Sequence, residues 1–302
     1  MKKFVYSIIV FFAIIIASDL AFGFVMDNLN SHSKGGGVAK RYYVFEKGNE
    51  EIMMFGSSRM CHHYNPHIIA DSLGMSCFNA GEDGSGIIYS YALLSHLIES
   101  GRCPKKVIYE IMIYDIYKDD NIKYLTLLKP YSQHPAVMEV IKRVSANERF
   151  KLISNLYKYN TVCLSEVFSV LKHNELNAGF EPSYGVLDYE PVFSSQSMPK
   201  EVDSLKRELL IDLINKCKEN NIELIFCVSP SYGSKGLCNS YPEVTELAEV
   251  YGVPMLDMQG CYLSGERNLF ADPSHLNAKG ADLFTTYFLN EFKRLTLLKN
   301  RI

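Results

Sequence analysis

Two short blocks far apart in the chain, Gly56-Ser57-Ser58-Arg59 and Asp272-Pro273-Ser274-His275, hold residue types that work together in acyl chemistry. A serine hydroxyl is a weak nucleophile until a histidine takes its proton, and the imidazole does so best when a carboxylate fixes its tautomer. An aspartate three residues before a histidine supplies that carboxylate locally. The expected roles are therefore Ser58 as nucleophile, His275 as general acid and base, and Asp272 as orienter of the imidazole. Ser57 and Asp257 are the substitutes for the first and third roles. His62, His63 and His67 crowd together in sequence, but no carboxylate or cysteine stands at a convincing ligand spacing, so they are read as surface or packing residues and no metal is expected.

The elements that must carry these residues alternate between strand and helix. Glu51 to Phe55 reads as a strand leading into Gly56. Asn65-Pro66 is an N-cap followed by proline at the first helical position, and Gly74 closes that helix. Met75 to Phe78 is a second strand. Ile87, Ile88, Tyr91, Leu94, Leu97 and Ile98 recur at helical spacing up to Gly101, and Val107 to Ile113 is a third strand, apolar apart from Glu110. Alternation lapses over 117–199, a mostly helical insertion rich in Tyr, Lys, Asn and Ser that is expected to form a lid or recognition element. It resumes with a helix bearing Leu205, Leu209, Leu213 and Cys217 on one face, the strand Ile222 to Val228, the helix Glu243 to Tyr251, the strand Val253 to Leu256 and a last helix from about Asn277. Alternation of this kind implies a parallel sheet covered on both faces, with the site at the carboxyl ends of the strands.

These residues resemble the SGNH (GDSL-like) hydrolase family, whose members are esterases and acyl transferases on a three-layer α/β/α, flavodoxin-like fold. The resemblance runs from Glu51 to Phe292, the insertion excepted. The family's Gly-Asp-Ser block corresponds to Gly56-Ser57-Ser58 and its Asp-x-x-His block to Asp272–His275. Asn79-Ala80-Gly81-Glu82-Asp83-Gly84 matches its Asn-x-x-x-x-Gly block and nominates the Gly84 amide, beside that of Ser58, as an oxyanion donor. The third block departs: Met112-Ile113-Tyr114-Asp115 stands where the family carries Gly-x-Asn-Asp, so Tyr114 replaces an asparagine donor. Arg59 and Asn79 are assigned to substrate binding, although Arg59 could equally pair with a nearby acid such as Asp83. With an N-terminal anchor, the pattern looks most like the extracytoplasmic proteins of teichoic-acid D-alanylation and alginate O-acetylation, which work beside a membrane-bound O-acyltransferase. That likeness implies an acylated envelope glycan or acyl donor as substrate, O-acetyl transfer or hydrolysis as the reaction, and no cofactor. A catalytically silent glycan-binding module and a free secreted esterase or lipase are the alternatives.

Composition sets the remaining bounds. The 302 residues are 47% hydrophobic with a net charge of -3, and Lys and Arg are dispersed and outnumbered by acids, which argues against nucleic-acid binding. Lys2 and Lys3 precede an apolar run from Phe4 to Met26 whose only charge is Asp19, long enough to span a membrane and lacking a clear cleavage site. The expected organisation is a membrane anchor or uncleaved signal over residues 1–26, a flexible glycine-containing tether over 27–50, and a catalytic body over 51–302 outside the cytoplasmic membrane. Cys77 and Cys227 are read as core residues, and Cys238 with Cys261 as a pair in an oxidising compartment.

Overall fold

The computed structural model describes residues 1–171, 176–191, 201–234 and 241–299. Its centre is a five-stranded parallel sheet formed by β1 (Ile52–Phe55), β2 (Cys77–Asn79), β3 (Lys106–Glu110), β4 (Glu223–Val228) and β5 (Met255–Asp257), in the order β2-β1-β3-β4-β5. Each strand is apolar at nearly every position because both faces are covered. The twofold alternation of side chains then divides each strand between two cores. Met53, Phe55, Val107, Tyr109, Leu224 and Phe226 join one core, whereas Ile52, Met54, Ile108, Ile225 and Cys227 join the other.

The first core is closed by helices α2 (Gly36–Glu46), α5 (Ile87–Glu99), α6 (Pro135–Val144), α10 (Ser204–Glu219) and α11 (Pro242–Tyr251), and the second by α3 (Ser58–His63), α4 (Pro66–Leu73) and α12 (Ala278–Lys299). Layers of helix, parallel sheet and helix make the three-layer α/β/α class expected from the sequence. Helix α4 begins and ends where its residues dictate. The Asn65 side chain accepts a hydrogen bond from the His67 amide at 3.0 Å, Pro66 occupies the first turn, and Gly74 takes the left-handed conformation. Strand β3 stops at Glu110, earlier than its apolar pattern suggests. Buried Asp115 folds the next residues into a 3-10 turn, accepting from the amides of Met112 and Ile87, each at 2.7 Å, and from the Tyr109 hydroxyl at 2.8 Å. Burial pushes the Asp115 carboxyl up to about 6.

The N-terminal part differs from the anchor-plus-tether expectation. Helix α1 runs unbroken over Lys2–Ser31, about 45 Å at ~1.5 Å per residue, and is long and apolar enough to cross a membrane. Its last third packs on the body: Met26 and Asn30 are buried, and Phe22 and Leu29 lie against Tyr159 and Val162. The region expected to be a tether instead forms α2, with Val44 and Phe45 in the first core. Buried Lys40 pairs with Glu181 at 2.8 Å and Arg41 with Glu82 at 2.6 Å. The glycines that suggested flexibility serve close packing, since a Cβ on Gly37 would lie 2.5 Å from Glu82 Oε1.

The insertion is not a lid of one piece. Helix α6 belongs to the first core, while α7 (Glu148–Lys151), α8 (Asn155–Tyr159) and α9 (Cys163–Leu171) form a group in which α8 and α9 pack on α1. A later stretch, 179–187, returns to the carboxyl end of the sheet and meets the hairpin of β6 (Phe270–Asp272) and β7 (His275–Leu276) through Leu187 N–H to Phe270 O, 2.7 Å. Cys77 and Cys227 are buried in their strands. Cys261 is a free thiol, and its expected partner Cys238 lies outside the described residues.

Candidate active site

The Gly56-Ser57-Ser58-Arg59 block is a sharp turn at the end of β1. Gly56 has φ +148°, and a Cβ there would stand 2.9 Å from both the carbonyl oxygen and the Cβ of Glu110 on neighbouring β3, so glycine is required. Two residues later Ser58 opens α3, where its own N–H belongs to the first-turn amides that have no partner within the helix. β1 lies between β2 and β3 in the sheet, so Ser58 stands at the point where the strand order reverses.

The second block arrives on a hairpin. Asp272 and His275 face each other across β6 and β7, and Asp272 Oδ1 accepts from the amides of Ser274 at 2.7 Å and His275 at 3.0 Å, which folds the intervening Pro273-Ser274. Asp272 Oδ2 is 2.8 Å from His275 Nδ1, and His275 Nε2 is 2.8 Å from Ser58 Oγ. A proton on Nδ1 held by the carboxylate leaves Nε2 as the acceptor for the serine proton. Three residues separated by up to 217 positions thus form one hydrogen-bonded line. Asp257 is not the histidine's partner in this arrangement; its carboxylate accepts from Gln259 N–H at 3.1 Å.

The oxyanion candidates are placed unevenly. Gly84 is exposed in the turn between β2 and α5, and that turn is pinned beside the nucleophile elbow by the Glu82 amide and the Ser85 hydroxyl, each donating at 3.1 Å to Gly56 O. Tyr114 is half-exposed on the 3-10 turn after β3, with the Lys123 ammonium 5.3 Å from its ring centre, and is not hydrogen-bonded to Ser58 or His275.

Arg59 and Asn79 are not available to a substrate, contrary to the sequence expectation. Asn79 is wholly buried and its side chain is spent on backbone: Nδ2 donates to Met60 O at 2.7 Å and Tyr64 O at 2.9 Å, and Oδ1 accepts from Gly81 N–H at 3.0 Å. It ties β2 to the middle and the C-cap of α3. Arg59, only 3% exposed, donates to Ser229 O at 3.0 Å, Ile111 O at 3.2 Å and the Tyr241 hydroxyl at 3.2 Å. Its acidic partner is Glu110, at 3.4 Å, not Asp83.

Behind the Ser58–His275–Asp272 line lies a second polar line that spacing alone does not reveal. Glu110 Oε1 accepts from the Ser229 amide at 2.9 Å and hydroxyl at 2.7 Å, while Ser229 Oγ is 2.8 Å from His63 Nδ1. His63 Nε2 accepts the Leu276 amide at 3.0 Å, immediately after His275. Since Nε2 accepts, the ring proton sits on Nδ1 and donates to Ser229. Burial, with Arg59 and His275 nearby, holds the His63 imidazole well below its ordinary value, so it is neutral. The signal in the sequence is Glu110, the one charge in the apolar run Val107 to Ile113.

His62 has the opposite character. Its Nδ1 faces the Glu181 carbonyl and its Nε2 lies 3.0 Å from Asp83 Oδ1, so both nitrogens meet acceptors, as an imidazolium requires. Burial disfavours the charge, but Asp83 and that carbonyl prevail and raise the imidazole above its ordinary value. Its ring stands edge-on to His275, with centroids 5.5 Å apart. Cys61, His62 and Asp83 approach one another closely enough for metal ligands. The donor set nevertheless suits a metal poorly, because the Lys40 ammonium lies 3.1 Å from Cys61 Sγ and burial pushes that thiol up to about 12. His67 joins neither group; it contacts Asn177 at 2.9 Å.

No family model and no curated protein matches this sequence. Among solved structures, one from Bacteroides fragilis described as a "putative acylhydrolase" aligns over 83% of this chain and 89% of its own, with 12% identity and a TM-score of 0.39.

Proposed function

We propose that this chain is a serine-dependent acyl-transfer enzyme acting on esters, and the observation that carries the reading is the unbroken line Ser58 Oγ, His275 Nε2, His275 Nδ1, Asp272 Oδ2. Ser58 Oγ attacks the ester carbonyl as its proton passes to His275 Nε2, and Asp272 stabilises the resulting imidazolium. The oxyanion is held by the Ser58 amide and, through the turn pinned to Gly56, by the Gly84 amide. Collapse of the tetrahedral intermediate expels the alcohol, which takes the proton from His275. A hydroxyl, from water or from a second substrate, then gives its proton to His275, attacks the acyl-Ser58 carbonyl and frees the serine.

The substrate class is an O-acylated glycan of the cell envelope, with an acetyl group favoured, and the body lies outside the cytoplasmic membrane on a single-pass anchor. The short-motif resemblance together with the apolar N-terminal helix supports this, and a membrane-bound O-acyltransferase is the partner such an arrangement suits. The half-exposed Tyr114 in place of an asparagine donor favours transfer to a glycan hydroxyl over rapid hydrolysis, because an oxyanion site completed only by the acceptor discriminates against water.

A fluorophosphonate probe tests the chemistry. It is expected to label the full chain at Ser58, and Ser58→Ala should abolish labelling. Loss of Ser58 or His275 should each reduce turnover of an acetyl ester by on the order of 10⁵–10⁶-fold, and the double variant should be scarcely worse, since the two act as one unit. Absence of labelling in the wild type would favour a silent glycan-binding module, and fast turnover of soluble esters a free esterase.

A further inference from the structure

The insertion is turned inside out around α7 to α9. In α9 the outward residues are Leu164, Val167, Phe168 and Leu171, spaced as one helical face, with Leu164 69% and Leu171 67% exposed. The same helix buries Glu166 and Ser169. The preceding segment repeats the inversion: Phe150, Ile153 and Leu156 point outward, Ile153 at 81% exposure, while Glu148 is buried and bound to Lys151 and Tyr157. A surface in water places these residues the other way round.

The part of this apolar face carried by Phe150, Ile153 and Leu156 lies against α1. A groove of about 670 Å³ is walled on one side by Ile15, Ile16 and Leu20 of α1 and on the other by Phe150, Ile153 and Leu156. Asp19, the one charge in the apolar run, is hydrogen-bonded at the same level by four donors: the Ser154 hydroxyl at 2.8 Å, the amides of Asn155 and Leu156 at 2.8 and 2.9 Å, and the Asn155 side chain at 3.2 Å. A carboxylate satisfied in this way tolerates apolar surroundings far better than a bare one. The helices touch closely, for a Cβ on Gly23 would lie 2.4 Å from Asn155 Cγ. Counting ~1.5 Å per residue from Phe4, Asp19 lies roughly 22 Å along the helix, inside the far boundary of a ~30 Å hydrocarbon layer. The basic side chains of Arg149 and Lys151 flank the apolar face, as they do on segments that rest among lipid headgroups.

We infer that α7 to α9 form a membrane-seated shelf, with Phe150, Ile153, Leu156, Leu164, Phe168 and Leu171 immersed in the acyl boundary of the leaflet nearest the body, and that the occupant of the groove beside α1 is lipid. The inference requires α1 to span a bilayer and is independent of the chemistry at Ser58.

The chain contains no tryptophan, so one substitution supplies a unique fluorophore. The full chain is reconstituted into phosphatidylcholine/phosphatidylglycerol vesicles as Phe150→Trp or Phe168→Trp, with Phe12→Trp in α1 and Tyr262→Trp, an exposed position against Tyr287 of α12, as references. Lipids brominated on the upper acyl carbons should quench the 150 and 168 variants about twofold or more, as for rings ~5–10 Å below the headgroup boundary, and leave the 262 variant unaffected. Water-like, unquenched emission at both 150 and 168 while Phe12→Trp is quenched would overturn the proposal and point to a protein partner on this face. Blue-shifted but unquenched emission that depends on protein concentration would also overturn it, in favour of a second copy of the chain.

Discussion

Arg59 and Asn79 stand beside Ser58 and at a strand's end, where substrate contacts are found, yet both are consumed by the fold. Arg59 is held by groups from β4 and from the Tyr241 region, some 170–180 positions away in sequence, so its burial could not be read locally. Arg59→Met leaves the Glu110 carboxylate buried beside a non-polar side chain. The expected outcome is a loss of about 3–5 kcal/mol in urea unfolding. A substrate-binding role would instead raise KM at unchanged stability. The pair Asp272–His275 is legible because a hairpin with two intervening residues makes it locally, whereas Gly-Ser-Ser alone is usually only a turn and Ser58 is singled out by the order of the short blocks along the chain. The sequence does not distinguish His62 from His63 and His67, since only the fold brings Asp83 and the Glu181 carbonyl to its two nitrogens. Its imidazole is raised in the fold, so its contribution to stability is complete below the ordinary value of 6.5 and is lost as pH rises through the raised value. Urea midpoints measured from pH 6 to 9 should fall with pH in the wild type and fall less in His62→Asn.

Helix α2 shows how an element can be misread when its glycines are taken for flexibility. Gly35-Gly36-Gly37 precede Lys40 and Arg41, two cations whose acidic partners lie in a loop after β2 and in the returning stretch of the insertion. The strands and the capped helix α4 carried their evidence within a few residues and were legible. The pairing that makes α2 part of the core depends on Glu82 and Glu181 and was not. A chain beginning at residue 42 lacks both cations and leaves Glu82, nine-tenths buried, uncompensated. Its unfolding in detergent should be weaker than that of a chain beginning at residue 32 by about 3–5 kcal/mol, the cost of a buried charge deprived of its partner. Equal midpoints would return this segment to the status of a tether. The apolar spacing in α9 was equally visible in the sequence, but spacing tells only that a helix has two faces. Which face turns inward is settled by α1, more than a hundred residues earlier.

At the scale of the whole molecule, the sheet with helices on both sides follows from alternating apolar runs, and the α/β/α class was legible for that reason. The relation of the N-terminal helix to the body was not, because a hydrophobic segment long enough to span a bilayer reads the same whether it is hinged or built in. Retention of the full chain in membranes after alkaline washing is the expected outcome for α1 as an anchor, and protease treatment of intact spheroplasts should degrade the body if it lies outside. Complete protection would place the body in the cytoplasm and remove the envelope-glycan substrate.

The unbroken passage of α1 from its apolar part into contact with Tyr159 and Tyr131 has a geometric consequence. A catalytic body on a slack leash would sweep a hemisphere and sample targets at many heights. On the proposed membrane anchoring, one fixed to a stiff stem holds Ser58 at a set elevation, and its search reduces to lateral diffusion and rotation about the membrane normal. Such a device works as a gauge: acyl groups presented within a narrow band above the lipid are met at high effective concentration, and chemically identical groups farther out on the same polymer are not met at all.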